Sequence, residues 1–463
     1  MGIDQFPAQQ GVEAKVGGLW LRGNRVGRIR FDQLGIALSR YASPLIYPQD
    51  LHEQMLIERL SSLKVYVERE TELVDLTPSK VGVSATLRKS DGKIEKLEVL
   101  YLAGCDGAHS TVRETLQIDF PGGTYSDIYY VADIQATGPV INGELNIALD
   151  DADFLAIFPM KGKGRARLVG AVRPEIPNDS DLAWDDVRSR IIQHLKMELV
   201  EVKWFSTYRV HHRVAAAFQK QRVFLLGDAA HIHSPFGGQG MNTGIGDAVN
   251  LAWKLAAVLK GVAPPSLLLT YELERIAFAR RLVSTTDRAF AFVSSRGPWA
   301  TRMRLYIVPW LLPFLFQFAL VRRMMYRTIS QIAIRYPQSP LSHGTAGTMD
   351  GGQRLPWVEF QNPVGTETDN FSCLSSMDWQ IHCYGDANSA LKAMCDDRGI
   401  ALHVFCWESA MKKAGLQRNA AYVIRPDGHI GIVDPKADTE RICSYLDTGI
   451  KYNSAKSEGV LRF

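Results

Sequence analysis

The residues best equipped for chemistry lie in Gly227-Asp228 and in the turn after it, Ser234-Pro235-Phe236-Gly237-Gly238-Gln239-Gly240. Arg222 to Leu226 is a short apolar run that reads as a buried strand, so Asp228 is expected at its carboxyl end as a buried aspartate. In open α/β sheets that edge faces the ligand crevice, where a carboxylate accepts hydrogen bonds from sugar-like hydroxyls. Three glycines between Pro235 and Gly240 let backbone N–H groups approach a flat ligand closely. A helix expected from about Met241 to Lys260 comes next, and its amino end carries roughly half a positive charge. An anionic ring edge would be stabilised there. The same residues also fit a capping aspartate followed by a surface loop.

A second cluster is Asp106-Gly107 with Ser110 and Arg113, a carboxylate, a hydroxyl and a guanidinium at the top of another strand. It fits a ligand-binding turn. It fits equally a helix start, with Ser110 as N-cap and Arg113 in solvent. His231 and His233 flank the Gly-Asp turn at i, i+2, but no third ligand accompanies them and no metal is expected. No side chain stands out as a general base. Tyr208, Arg209 and His211 are the candidates.

These residues need elements to hold them. Residues 49 to 61 predict a helix with Leu51, Met55, Leu56 and Leu60 on one face. A hairpin pairs Val81–Leu87 with Ile94–Leu102 around Asp91-Gly92, a favoured turn pair. Tyr129–Ile134, Phe154–Pro159 and Ala166–Val172 read as strands of an inserted sheet, interrupted by a helix near Trp184–Met197. In the helix after Gly240, Ile245, Val249, Ala252, Ala256 and Leu259 form an apolar stripe at the 3.6-residue period. Another helix covers about Tyr271 to Val283. Tyr336–Gly352 reads as a linker, and the remainder alternates strands and helices up to a hairpin turning at Pro426-Asp427-Gly428.

Composition narrows the function classes. The chain has 463 residues, 46% of them hydrophobic and 22% charged, as in a soluble protein of two or three domains. A net charge of +4 is too even to suggest a nucleic-acid partner. Six cysteines form no CxxC pair and read as reduced thiols, which with no leader sequence points to a cytoplasmic protein. Leu305–Val321 is apolar but short for a span and holds Pro309 and Pro313; a buried or interfacial helix pair is expected, with no stable membrane span.

Two segments together resemble the class A flavoprotein aromatic hydroxylases, the family of para-hydroxybenzoate hydroxylase and phenol hydroxylase. CDGAHSTVR matches the family's DG fingerprint, and RVFLLGDAAHIHSPFGGQGMNTGIGDAVNLAWKLAAVLKG matches its GD fingerprint over forty residues. The tail YVIRPDGHIGI is similar to the thioredoxin-like domain of the phenol, 3-hydroxyphenylpropionate and polyketide hydroxylase branch. The resemblance implies an α/β fold: a Rossmann-like FAD-binding domain at 1–120 and 217–296, a β-sheet substrate domain at 121–216, a helical connection at 297–345 and a thioredoxin-like domain at 346–463. It implies that Asp228 holds the ribityl or pyrophosphate side of FAD. It further implies that Pro235 and Gly238 to Asn242 line the reactive flavin ring, with the N–H groups of Met241 and Asn242 at its pyrimidine edge beside Gly240. Gln49 matches a glutamine that contacts FAD, while Asp106 and Arg113 match positions linked to FAD and the nicotinamide. Gly246 departs from the family, standing where a glutamine is common.

The implied reaction uses NAD(P)H to reduce FAD. The reduced flavin captures O2 as a C4a-hydroperoxide and transfers one oxygen to a small aromatic, usually phenolic, substrate. The family begins with a strand, a GxGxxG turn and a helix, and the present sequence is expected to lack that unit, and with it the pyrophosphate cradle. A catalytically impaired relative acting as a binding or scaffold protein is the alternative. A thiol oxidoreductase is disfavoured by the absence of CxxC. In related proteins the C-terminal domain often supports a homodimer.

Overall fold

The computed structural model describes residues 3–149, 155–172, 183–234, 238–294, 299, 302–361 and 367–450. Its largest sheet has eight strands in the order His231–Ile232, Glu198–Val214, Gly122–Thr137, Arg165–Val172, Leu155–Pro159, Leu145–Ala148, Val16–Leu21 and Asn24–Arg30. Period-two alternation gives the sheet two different faces. Tyr130, Ala132, Ile134 and Ala136 turn toward the Trp184–Leu195 helix and bury against its Val187, Ile191 and Leu195. Tyr129 and Asp133, with their cross-strand neighbours Tyr208, Arg167 and Trp204, occupy the other face.

The last two strands of this sheet come from residues 16–30, which the sequence reading placed within the FAD-binding segment. Val16–Leu21 runs parallel to Leu145–Ala148, Leu19 opposite Ile147. Gly17 and Gly18 hide the alternation that marks a strand. Both are required, because a Cβ at Gly17 would meet the Phe31 ring and one at Gly18 the Asn146 amide.

A smaller sheet carries the two fingerprint strands. Leu102–Gly104 pairs in parallel with Val223–Leu225, and Gln219–Lys220 adds an antiparallel edge. The hairpin around Asp91-Gly92 forms as expected, Val83–Lys89 on Ile94–Val99, with Thr71–Pro78 as its third strand.

Two long helices, Gly240–Leu259 and Leu269–Ser294, back this region. The first does not turn its apolar stripe inward. Ile245 is 37% exposed and Leu259 55%, and Ala252 and Ala256 also face out. The buried face is Thr243, Asp247, Asn250, Leu251, Trp253 and Lys254. Both faces share one period, so periodicity alone does not say which turns inward. Here the polar face wins because the second helix supplies its counter-charges. Glu274 accepts hydrogen bonds from Lys254 Nζ (2.8 Å), Asn250 Nδ2 (2.7 Å), Ser339 Oγ (2.7 Å) and both terminal nitrogens of Arg425 (2.7 and 3.0 Å). Burial alone would raise the Glu274 carboxyl, but Arg425 and Lys254 outweigh it and hold it well below the usual carboxylate range.

The C-terminal unit is thioredoxin-like. Ala401–Phe405 and Gln380–Tyr384 are parallel across the Ser389–Arg398 helix, and Ala421–Ile424 and Ile430–Asp434 complete the sheet antiparallel. The expected linker is not one. Tyr336, Ser339, Leu341, Ala346 and Met349 within it are buried, and Ser339 and Tyr336 bond to Glu274 and Arg275. Its Pro/Gly/Ser composition serves tight turns that return the chain to the helices. Among the described residues no single helix is long and apolar enough to cross a membrane. The apolar segment folds as Leu305–Leu315 and Ala319–Ile329, bent by 99°.

His382 sits in the C-terminal sheet with Nδ1 at 3.2 Å from Tyr384 OH and Nε2 at 3.0 Å from Gln380 Oε1 and 3.3 Å from Cys373 Sγ. Burial, with help from His403, pushes its pKa from 6.5 down to about 3. Unfolded chains take up a proton that the fold refuses. The stability this group confers is complete above pH 6.5 and is lost as pH falls toward 3, at about 1.4 kcal/mol per unit. Urea titrations across that range are expected to show a shallower acid slope in His382→Gln; an identical slope would contradict the assignment.

Candidate active site

Gly104 lies opposite Leu225 in the parallel pair, and the Leu226 N–H donates to Gly104 O at 3.0 Å. Both strands therefore leave the sheet at one edge, and the Asp106-Gly107 and Gly227-Asp228 turns become neighbours where α/β sheets hold ligands. Arg113 joins them: Nη1 donates to Ala229 O at 3.0 Å and Nη2 to Ala108 O at 2.8 Å. Its guanidinium also lies 4.0 Å over the Phe120 ring. Arg113 is 5% exposed, so it is a buried tie rather than a solvated side chain. Ser110 is the N-cap, its Oγ accepting from the Arg113 N–H at 3.0 Å. Asp106 in turn accepts from Ser110 Oγ (2.6 Å) and Val112 N–H (3.0 Å).

Asp228 is exposed, not buried as expected. The strand stops at Leu225, and Gly227 at φ +57° opens a short 3-10 turn, Gly227–Ala229, that carries Asp228. Its carboxylate makes no hydrogen bond among the described residues and stays open to a ligand. The buried acid beneath it is Asp247, one helix away. Asp247 accepts from the Gly227 N–H (3.0 Å), His231 Nε2 (2.7 Å) and Arg275 Nε (2.6 Å). Burial would raise its carboxyl, and Arg275 with His231 hold it below the ordinary value instead. Arg275 spends its other nitrogens on Tyr336 OH (3.0 Å) and Thr243 O (3.1 Å).

Sequence reading missed Asp247, Arg275 and Glu274. The signal was present: Thr243, Asp247, Asn250 and Lys254 recur at helical spacing, and Glu274-Arg275 matches them in the next helix. His231 is engaged with Asp247, and among the described residues no group of three or more His, Cys, Asp or Glu side chains is arranged to hold a metal. Gly246, the departure from the family pattern, also finds its reason. A Cβ there would stand 3.1 Å from Arg275 Nη2, so the glycine makes room for the buried guanidinium.

The amino end of the Gly240 helix faces the same edge. A Cβ at Gly244 would come 3.2 Å from Gly227 Cα, so two glycines allow the helix to lie against the turn. The first helical bond runs from Thr243 N–H to Gln239 O (2.9 Å), leaving the N–H groups of Gly240, Met241 and Asn242 without intrahelical partners. Met241 and Asn242 are exposed, and Gly238 adopts φ +63° beside open space. Ser234 Oγ is buried without a partner among the described residues. Pro235 lies outside the described residues, as do Phe236 and Gly237. Gln49 opens the Gln49–Ser62 helix and is exposed, making no hydrogen bond to either turn among the described residues. An open carboxylate, an unbonded helix end and glycine-lined space fit the sugar and ring portions of FAD.

On the sheet face away from the Trp184–Leu195 helix, Arg167 donates from Nε and Nη2 to the two Asp133 oxygens at 2.7 and 2.9 Å. Tyr129 and Tyr208 lie with ring centroids 5.9 Å apart. Burial pushes Tyr208 up to about 12, so it keeps its proton at neutral pH and donates rather than acting as a base. His211 has its Nδ1 2.7 Å from Thr124 Oγ1, and burial together with Arg213 lowers its pKa.

Gly246→Gln is expected to crowd the Arg275 guanidinium and to destabilise the fold by about 1–3 kcal/mol. Thermal melts check this; an unchanged midpoint would show that the glycine is not reserved for Arg275.

Known proteins resemble this chain in sequence and in fold. Residues 1–286 match the family described as FAD binding domain. The chain is 36% identical over 338 residues to 6-methylpretetramide 4-monooxygenase of Streptomyces rimosus, covering 70% of this chain and 58% of that protein. It is 30% identical over 396 residues to an uncharacterized aromatic compound monooxygenase of Bacillus subtilis, covering 83% of this chain and 75% of the relative. The solved structure of an anhydrotetracycline hydroxylase from Streptomyces rimosus superposes with a TM-score of 0.74 at 25% identity, covering 96% and 91% of the two chains. By sequence and by fold, this chain belongs to the FAD-dependent aromatic hydroxylases, the class A flavin monooxygenases.

Proposed function

We propose that the chain carries out FAD-dependent monooxygenation of an aromatic, phenolic or polyketide, substrate using NAD(P)H and O2. One observation carries the reading: the exposed Asp228 carboxylate, without a hydrogen bond among the described residues, lies in the turn that packs against the Gly240 helix near its amino end, and Arg113 and Asp247 hold that turn through Ala229 O and the Gly227 N–H. FAD, when bound, supplies the redox and oxygen-transfer chemistry. The chain's own residues bind, orient and exclude water. Asp228 would accept hydrogen bonds from ribityl hydroxyls. The N–H groups of Met241 and Asn242 would stabilise negative charge on the pyrimidine edge. Arg113 contributes indirectly, by holding the two turns at one separation.

The face bearing Tyr129, Asp133, Arg167 and Tyr208 is the proposed substrate wall. It is largely apolar and aromatic, with one ion pair to orient a polar edge. Arg167 has Nη1 left over after its two bonds to Asp133, a donor for a substrate oxygen. Tyr208, kept protonated by burial, would donate a hydrogen bond to the substrate, and the His211 imidazole would be the group to accept a phenol proton.

Protein purified with FAD is expected to be yellow and to oxidise NAD(P)H faster with a cognate phenol, yielding a product one oxygen heavier. Asp228→Ala is expected to weaken FAD binding by about ten- to a hundredfold while leaving the melting transition in place. Stoichiometric FAD in that variant would contradict the site. Bound FAD without oxygen insertion into any aromatic substrate would contradict the activity alone.

A further inference from the structure

Between Asp287 and Asp350 the sequence contains no acidic residue and no lysine, only eight arginines as strong cations. The bent helix pair lies within this stretch. Its inner side is anchored. Leu312, Phe316 and Tyr326 pack with Leu19, Ile29 and Leu34, and a Cβ at Gly27 would come 3.0 Å from Pro309 O. Arg322 holds the bend, donating to Phe316 O at 2.8 Å and Gln317 O at 2.7 Å.

The outer side is apolar as well. Tyr306, Trp310, Phe314 and Phe318 recur at i, i+4 and are 70%, 75%, 53% and 50% exposed. Past the bend, Leu320 and Met324 are 79% and 63% exposed. Water-facing helices normally present charge at such positions, and a contiguous aromatic stripe marks a surface meant to be covered. Arg302, Arg323 and Arg327 are exposed around it and make no ion pair among the described residues.

We propose that this bent pair docks the protein on the surface of an anionic lipid bilayer. Tyrosine and tryptophan settle at the headgroup level, where one part of the ring is apolar and the other wet. Arginines beside them neutralise lipid phosphates. The Val308–Leu315 helix has 8 residues. At 1.5 Å per residue that is about 12 Å, against a hydrocarbon core of about 30 Å, so the pair lies in the interface and does not cross. A second copy of the chain is a poor occupant. A two-fold contact would bring the same arginines face to face with no acid to separate them.

The test is co-sedimentation of the full chain with phosphatidylcholine vesicles, with and without phosphatidylglycerol. Binding is expected only when phosphatidylglycerol is present, and it should weaken with salt. Arg323→Ala with Arg327→Ala is expected to lower partitioning by about 30-fold. Trp310→Glu with Phe314→Glu should abolish it, both variants keeping the wild-type melting point. Equal binding to the two vesicle types, or none, would overturn the proposal. So would a dimer in light scattering that Trp310→Glu dissociates, since the stripe would then join two copies. If the aromatic variant fails to fold, the lipid comparison and the arginine pair still decide.

Discussion

Two carboxylates, Asp247 and Glu274, are buried almost completely where the Gly240 and Leu269 helices cross, and every neighbouring element is arranged to meet them. A charge taken out of water is tolerated only with partners and hydrogen bonds on every side. Asp247 draws in the Gly-Asp turn through Gly227 and His231, and Glu274 draws in the C-terminal unit through Arg425. Arg275, next to Glu274, reaches across to Asp247 and to Tyr336. One helical turn thus fixes the Gly-Asp turn, the returning segment and the thioredoxin-like sheet together. Removing Arg275 from Asp247, or Arg425 from Glu274, would leave a buried carboxylate short of its counter-charge, at a cost of about 3–5 kcal/mol.

This arrangement explains why the ligand edge can be so open. Asp228, Gly238 and the first amides of the Gly240 helix have little packing of their own. They hold position because the residues directly beneath them are over-determined. Arg113 does the same from the other strand, satisfying carbonyls of both turns. A site built this way keeps its unpaired donors and acceptors for a ligand.

Much of the fold could be read from the chain. Alternation found the central strands of the large sheet, Asp91-Gly92 found its hairpin, and the two fingerprints placed their turns on one edge. What failed did so for identifiable reasons. Gly17 and Gly18 sit in a strand where neighbouring side chains fill the space of a Cβ, which erases the apolar signal. The Gly240 helix hides ionised residues and shows its aliphatic ones, because the partner charges that make this favourable lie in a different helix and in Arg425, far along the sequence. Residues 336–352 have the composition of a linker, yet their turns serve to bring Tyr336 and Ser339 back to buried charges. Asp228 stood out in the sequence as a candidate ligand group, but its exposure depends on one left-handed glycine.

The central claim is that Asp247 holds the Gly-Asp turn from below, and amide hydrogen exchange reads this directly. In the wild-type chain the Gly227 N–H, bonded to the Asp247 carboxylate, is expected to exchange among the slowest amides of the protein, alongside those of the Val223–Leu225 strand. In Asp247→Asn it is expected to exchange at least about tenfold faster, roughly the loss of one charge-assisted bond. Rapid Gly227 exchange in the wild type, or a rate unchanged by the substitution, would show that the turn is held by something else.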